Sequence, residues 1–208
     1  MNAAVAHPVR AFHHVHDWSS PKVSSLFLDT VHHERFFSNA NDFPQKHHRQ
    51  SIRLKGFDYR QPGAYFVSIC VDDRECLFGQ VMGNSMQVNE AGSIVRSIWE
   101  SLPSRFSAVA LDAFVVMPNH VHGIVILREG STTPPGPSLG GVIRVFKSIS
   151  AIQVNRLLQR EGRPLWQRNY YERVVRDVGS LSRIQQYIQD NPARWDVDPE
   201  NPSVESQR

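Results

Sequence analysis

The chain has 208 residues, of which 40% are hydrophobic, so it can bury one core, and we expect a single domain with an appendage. The formal net charge of +3 permits a polyanionic partner such as nucleic acid without establishing one. Two cysteines without CxxC spacing argue against a zinc or redox site, and neither a signal-like segment nor a membrane-length apolar run is present. We therefore expect a cytoplasmic protein that does not enter a membrane.

The first 50 residues differ in composition from the rest and carry eight of the ten histidines. These histidines are His7, His13, His14, His16, His32, His33, His47 and His48. They lack paired ligand spacing, so a disordered extension is favoured over a metal-binding tail. We predict this extension over 1–50, one folded domain over 51–196 and a flexible tail over 197–208.

Strand-like and helix-like blocks alternate after the extension. Ala64–Val71 is rich in β-branched and aromatic residues and predicts a strand, and after a turn the short segment Leu77–Val81 could pair with it as a hairpin. Asn89 is placed to cap a helix that runs to Leu102, and Pro103 marks its exit.

Two apolar segments, Ala113–Met117 and Gly123–Leu127, are typical of strands that are buried on both faces. Glu129–Gly140 is rich in Gly, Pro, Ser and Thr and predicts a hinge or lid loop. A helix is then predicted from about Leu139 to Gln159. Its predicted apolar side consists of Val142, Val145, Phe146, Ile149, Ile152 and Leu157.

Short strands are predicted at Leu165–Arg168 and Tyr171–Arg176, and a final helix begins at Ser180 and is closed by Pro192. The resulting order is β-α-β-β-α-β-α. Chains with this order fold as α+β proteins, with an antiparallel sheet and helices on one face in a ferredoxin-like arrangement.

His120 and His122 stand two positions apart among strand formers, so both imidazoles project from one face, about 7 Å apart along the chain. That spacing suits capture of one metal ion, although two buried or half-exposed structural histidines have the same pattern. Outside the extension these are the only histidines, and they interrupt an apolar stretch where unpaired rings are costly to bury.

Tyr187 and Asn191 stand four positions apart on the predicted final helix and share one face, with Asn191 at the helix end before a proline. Two imidazoles do not saturate a divalent ion, so Asn191 is a candidate third ligand beside a tyrosine. Tyr187 can equally be a packing residue, and Asn191 a helix cap.

Basic residues dominate residues 144–176, between the loop and the final helix, where Glu161 and Glu172 are the acids. They are Arg144, Lys147, Arg156, Arg160, Arg163, Arg168, Arg173 and Arg176. The aromatic residues Trp166, Tyr170 and Tyr171 are interleaved with them. The combination predicts a groove for single-stranded nucleic acid, or else a solvated face. Phosphate-loop, serine-hydrolase and zinc-protease motifs are absent.

Four ordered motifs resemble the REP-associated tyrosine transposases, a branch of the single-tyrosine HUH transposases of small insertion sequences. They are Met117–Gly123 (MPNHVHG), Leu139–Ser148 (LGGVIRVFKS), Leu165–Arg176 (LWQRNYYERVVR) and Tyr187–Pro192 (YIQDNP). The resemblance covers about residues 50–195. It implies a sheet of RNA-recognition-motif type and a mobile-element enzyme.

The resemblance also implies roles for individual residues. His120, His122 and Asn191 match the metal ligands, the metal being Mg²⁺ or Mn²⁺, and Tyr187 matches the nucleophile. The implied reaction is transesterification of single-stranded DNA near hairpins, through a 5′-phosphotyrosine. The DNA-contacting residues would be Arg144, Lys147, Arg168, Arg173 and Arg176.

Two other functions remain open from the sequence, as does a homodimeric state. A non-catalytic single-strand binding module would use the basic and aromatic residues but would need neither the histidine pair nor Tyr187. A metal-dependent phosphodiesterase that activates water would need the histidines and would be indifferent to Tyr187.

Overall fold

The computed structural model describes residues 57–129 and 136–205. The extension predicted over 1–50 and residues 130–135 of the predicted loop lie outside these ranges. The strands are β1 (Gly63–Cys70), β2 (Gly79–Met82), β3 (Ser85–Val88), β4 (Val109–Val116), β5 (His120–Leu127) and β6 (Tyr171–Val175). The α-helices are α1 (Glu90–Glu100), α2 (Leu102–Arg105), α3 (Leu139–Leu157), α4 (Val178–Asp190) and α5 (Pro202–Glu205).

Four strands form an antiparallel sheet in the order β4-β5-β1-β6, which confirms the predicted antiparallel α+β fold class. The central strand β1 is buried along almost its whole length, because both of its faces are covered. The hairpin predicted between Ala64–Val71 and Leu77–Val81 is wrong, because β1 pairs with β5 and β6, whereas β2 pairs with β3 in a separate two-stranded sheet. Gly83 and Asn84 join these strands with positive φ at both positions, as the favoured two-residue hairpin turns require.

Helices α1 and α3 cover one face of the sheet. The Asn89 side chain accepts a hydrogen bond from the Gly92 amide at 2.9 Å, so the predicted cap of α1 is confirmed. The buried side of α3 includes Val142 and Phe146, as predicted. Ile152 is an exception and is 59% exposed, because the buried positions of α3 continue through residues 150 and 154 instead.

Helix α4 lies on the opposite face, which corrects the prediction that all helices share one face. Side chains alternate along β1, so Phe66 points away from the α1–α3 side, and its ring centroid lies 6.0 Å from that of Tyr187 on α4. Ile184 and Ile188 of α4 are buried. A sheet whose strands are apolar on both faces needs cover on both sides.

The segment after α4 packs against the domain. A 3₁₀ helix spans Pro192–Val197, and Asp198, Glu200 and Asn201 are buried. The prediction of a flexible tail over 197–208 is therefore wrong for these three residues, which are packed against the domain. The strand predicted at Leu165–Arg168 is reduced to one bridge between Val71 and Trp166. Among the described residues, every helix is too short or too polar to cross a membrane.

Candidate active site

Strand β5 places His120 and His122 side by side on the face that α4 covers. His120 pairs with Cys70 and His122 with Ser68 of β1, so both lie on the two inner strands of the sheet, at the end where β5 begins. The two imidazole centroids are 4.5 Å apart, and the exposed fractions of the residues are 0% and 2%. The expected same-face geometry is therefore present.

Asn119 fixes the orientation of His120. Its Nδ2 donates to the backbone carbonyls of Arg74 at 3.0 Å and Glu200 at 2.7 Å, so its Oδ1 is left as an acceptor. This Oδ1 lies 2.9 Å from His120 Nδ1, which must therefore carry the proton and donate. The Nε2 lone pair of His120 is thereby left for a ligand. Sequence reasoning missed this role, although Asn119 stands inside the quoted MPNHVHG motif.

A glycine directly after the histidine pair leaves room for an aromatic stack behind the site. A Cβ at position 123 would lie 2.5 Å from Trp99 Cζ2 and 2.9 Å from Phe114 Cδ2. Trp99 and Phe114 are stacked with centroids 4.6 Å apart. Gly123 therefore lets the buried rings press against the strand that carries the histidines.

Helix α4 brings Tyr187 and Asn191 to the histidines of the same chain. The Tyr187 hydroxyl lies 3.4 Å from His122 Nε2. Asn191, at the C-terminal end of α4, is 1% exposed. An irregularity in β4 allows Asp112 to accept a hydrogen bond from Gln185 of α4 at 2.7 Å, which ties the helix to the sheet two residues before the tyrosine.

Three buried polar atoms at this place lack a hydrogen-bond partner: His120 Nε2, His122 Nδ1 and Asn191 Oδ1. Unpaired buried polar atoms are costly, and native proteins rarely keep them without a reason. Imidazole nitrogens and amide oxygens are ordinary ligands of divalent metal ions. The donor set therefore fits a divalent ion.

Burial controls the protonation of the site. It lowers the pKa of His120, and together with the neighbouring His120 it lowers the pKa of His122 well below the usual range. Both rings are therefore neutral at physiological pH, which is the form that binds metal. Burial also raises the pKa of Tyr187 above its usual value, so the free phenol is protonated at neutral pH.

The five basic residues predicted to contact DNA lie in two separate parts of the structure. Arg144, Lys147 and Arg168 line a cavity of about 650 Å³ beside α3, together with Tyr59, Trp166 and Tyr170. Lys147 Nζ donates to the backbone carbonyls of Gln167 at 2.6 Å and of Arg168 at 3.1 Å, so its ammonium holds the segment after α3.

The other two predicted DNA contacts lie near β6. Arg173 pairs with Phe66 across the β1–β6 register and so belongs to the face that carries Tyr187. Arg176 is exposed just after the strand ends. Arg173 therefore adjoins the tyrosine side of the sheet, whereas the cavity lies beside α3.

The family model described as "Transposase IS200 like" matches residues 84–191, more than half of the chain. The chain belongs to the IS200-like transposase family. An uncharacterized protein of Haemophilus influenzae is 39% identical in an alignment of 168 positions, and the alignment covers 73% of this chain and 92% of that protein. A solved REP-associated tyrosine transposase bound to a REP hairpin is 18% identical, with a TM-score of 0.49 and coverage of 70% of this chain and 73% of that one.

The stretch shared with IS200-like transposases includes both histidines, Tyr187 and, as its final residue, Asn191. Asp198 and the buried residues that follow it lie beyond the shared stretch. A buried segment therefore follows directly after the stretch that matches the family model.

Proposed function

We propose that this protein is a single-strand DNA transposase of the REP-associated tyrosine branch, with Tyr187 as the nucleophile. One observation carries the proposal: the Tyr187 hydroxyl lies 3.4 Å from His122 Nε2, beside three buried polar atoms without hydrogen-bond partners. Binding alone would need neither feature. The geometry therefore favours an enzyme over a non-catalytic binding module.

The proposed reaction exchanges a phosphodiester for a phosphotyrosine ester. A bond forms between Tyr187 Oη and the phosphorus of a 5′ phosphate, and the bond from that phosphorus to the 3′ oxygen breaks. The phenol gives up its proton, and the departing 3′ oxygen takes one up. Because one ester replaces another, a second 3′ hydroxyl can reverse the step and rejoin strands without a nucleoside triphosphate.

The chain's own residues position the reacting groups. His120, His122 and Asn191 would hold Mg²⁺ or Mn²⁺, and the bound ion would supply positive charge that polarises the phosphate and favours the ionised phenol. Phe66 packs edge-on against the Tyr187 ring and restricts its rotation, so the hydroxyl stays near the histidines. Such positioning lowers the entropic part of the barrier.

The basic and aromatic residues would bind the substrate, which we propose is single-stranded DNA next to a hairpin. Arg144 and Arg168 are exposed at the cavity rim and suit phosphates, while Tyr59 and Tyr170 in the same cavity suit unstacked bases. Arg173 and Arg176 would contact the backbone near Tyr187. The ammonium of Lys147 is already bound by two carbonyls, which supports a structural contribution to the cavity.

A covalent-adduct assay tests the proposal. Purified protein would be incubated with labelled hairpin-containing single-stranded DNA and Mn²⁺ and resolved on a denaturing gel. We expect an adduct for the wild type and none for Tyr187→Phe. Tyr171→Phe is the matched control, because Tyr171 also packs edge-on against Phe66, with centroids 6.1 Å apart, and should keep the adduct.

Each alternative function predicts a different combination of adduct, cleavage and binding in this assay. Cutting that survives Tyr187→Phe would refute the tyrosine mechanism and favour hydrolysis by activated water. Retained binding without any adduct or cleavage across a pool of hairpins would favour the binding module.

A further inference from the structure

The segment beyond the tyrosine helix is built into the site. Asp198 Oδ1 accepts a hydrogen bond from the Glu200 amide at 2.8 Å, and the Glu200 carbonyl accepts one from Asn119 Nδ2 at 2.7 Å. The Glu200 carboxylate pairs with Arg74 Nε at 3.0 Å. These contacts anchor the segment beside the residue that orients His120.

The anchored segment presents a carboxylate to the histidines. Asp198, His120 and His122 each offer a ligand atom, and these three atoms lie within 4.8 Å of one another. All three residues are buried, with Asp198 only 7% exposed. Among the described residues, no other group of three or more His, Cys, Asp or Glu side chains meets the same geometric condition.

We propose that Asp198 is a ligand of the divalent metal, contributed by the segment that follows the tyrosine helix. The proposal rests on the proposed function, which supplies the metal. Beyond that function, it adds an anionic member to a ligand set that otherwise consists of two imidazoles and one amide.

Charge and ligand preference both favour this assignment. His120, His122 and Asn191 are neutral, so a doubly charged ion held by them alone would be buried without a counter-charge, which is unfavourable. Mg²⁺ and Mn²⁺ also prefer oxygen ligands, carboxylates in particular. Asp198 supplies both an oxygen ligand and a negative charge. The carboxylate of Glu200 is committed to Arg74 and is therefore a poorer candidate.

With Asp198 as a ligand, the metal site includes a residue outside 84–191, the stretch that matches the family model. That stretch ends at Asn191, and Asp198 follows the Pro192–Val197 3₁₀ helix. The segment is then part of the metal site, and its loss would weaken metal binding even with every motif residue intact.

Metal binding can be measured without the DNA reaction. The full chain would carry Tyr187→Phe, so that no adduct forms, and free Mn²⁺ would be followed by electron paramagnetic resonance during a titration. Asp198→Asn keeps the size of the side chain and its Oδ1 acceptor but removes the charge. We expect its Mn²⁺ dissociation constant to rise about tenfold or more, by analogy with losses at metal sites.

The matched control is Asp196→Asn, two residues earlier on the exposed side of the 3₁₀ helix. It removes the same charge and should change the dissociation constant less than about threefold, as expected for a solvent-screened charge. Thermal melting without metal checks that both variants fold. If Asp198→Asn melts early, Asp198→Glu gives a second comparison, and binding should recover at least in part because the carboxylate is restored.

The outcomes separate the two proposals. Equal Mn²⁺ affinity for Asp198→Asn and Asp196→Asn would overturn the ligand assignment, even if the wild type forms the DNA adduct. A loss specific to Asp198→Asn supports the assignment. If the wild type then formed no adduct, the tyrosine mechanism alone would be refuted.

Discussion

Replacing Gly123 by alanine should destabilise the domain by about 2–3 kcal/mol, at the upper end of the range for overpacked cores. The added Cβ would lie 2.5 Å from Trp99 Cζ2, whereas carbon atoms in ordinary contact are about 3.5–4.0 Å apart. The new Cβ and the Trp99 ring must therefore move apart by about 1 Å to reach an ordinary contact distance. Trp99 cannot easily retreat, because it is 1% exposed and has Phe114 stacked at 4.6 Å and Phe146 edge-on at 5.2 Å.

Urea unfolding followed by far-ultraviolet circular dichroism measures the change. The clash involves the outer ring of Trp99, so the Gly123→Ala penalty should fall by more than half in a Trp99→Leu background. A penalty below about 0.5 kcal/mol, the level of an ordinary surface substitution, would refute the reasoning. So would a penalty that is unchanged when the indole is removed.

Two further predictions concern elements that support the cavity and the tyrosine helix. Ser150→Ala removes the buried acceptor of the Trp166 Nε1 hydrogen bond at 2.9 Å and should cost about 1–3 kcal/mol in urea unfolding; a cost near zero would show that the indole finds another partner. Asp177 caps α4 by accepting from the Ser180 amide at 2.7 Å, so Asp177→Ala should cost about 1 kcal/mol, whereas Asp177→Asn should cost little. Hydrogen bonds from Ser180 lower the pKa of Asp177, so the charge-dependent part of this stability is present above about pH 4 and fades as the pH falls through the lowered pKa. Melting curves against pH test this, and a constant difference between wild type and Asp177→Asn down to pH 2 would contradict it.

Local spacing explains what could be predicted from the sequence. The two-residue repeat of a strand places His120 and His122 on one face, and the four-residue spacing on a helix places Tyr187 near Asn191. The structure brings these four residues together, and the roles assigned to them remain proposals. The antiparallel α+β class also followed from local patterns, because the strand and helix blocks differ clearly in residue type.

Contacts between distant chain segments explain what could not be predicted. Asn119 meets Glu200 across 81 positions, and no spacing rule joins residues so far apart. Asp198 lies in the predicted tail, yet it is buried and its Oδ1 accepts a hydrogen bond from the Glu200 amide. Composition likewise could not distinguish Lys147, whose ammonium is bound by backbone carbonyls, from an exposed cation such as Arg144.

Asn119 makes three hydrogen bonds, and through them the tautomer of His120 is thermodynamically coupled to the docking of residues 198–201. With the Glu200 carbonyl in place, the carboxamide is held in one orientation and only the Nδ1-protonated tautomer of His120 fits. If residues 198–201 undock by local unfolding, that restraint is lost, the amide can turn over, and its Nδ2 then opposes the same Nδ1 proton. Docking of the segment therefore strengthens binding of a ligand at Nε2 of His120 by a coupling free energy, and the bound ligand stabilises the docked segment by that same coupling free energy. Opening of four residues, 198–201, would thus regulate the ligand state of a histidine that lies 78 or more positions earlier in the chain.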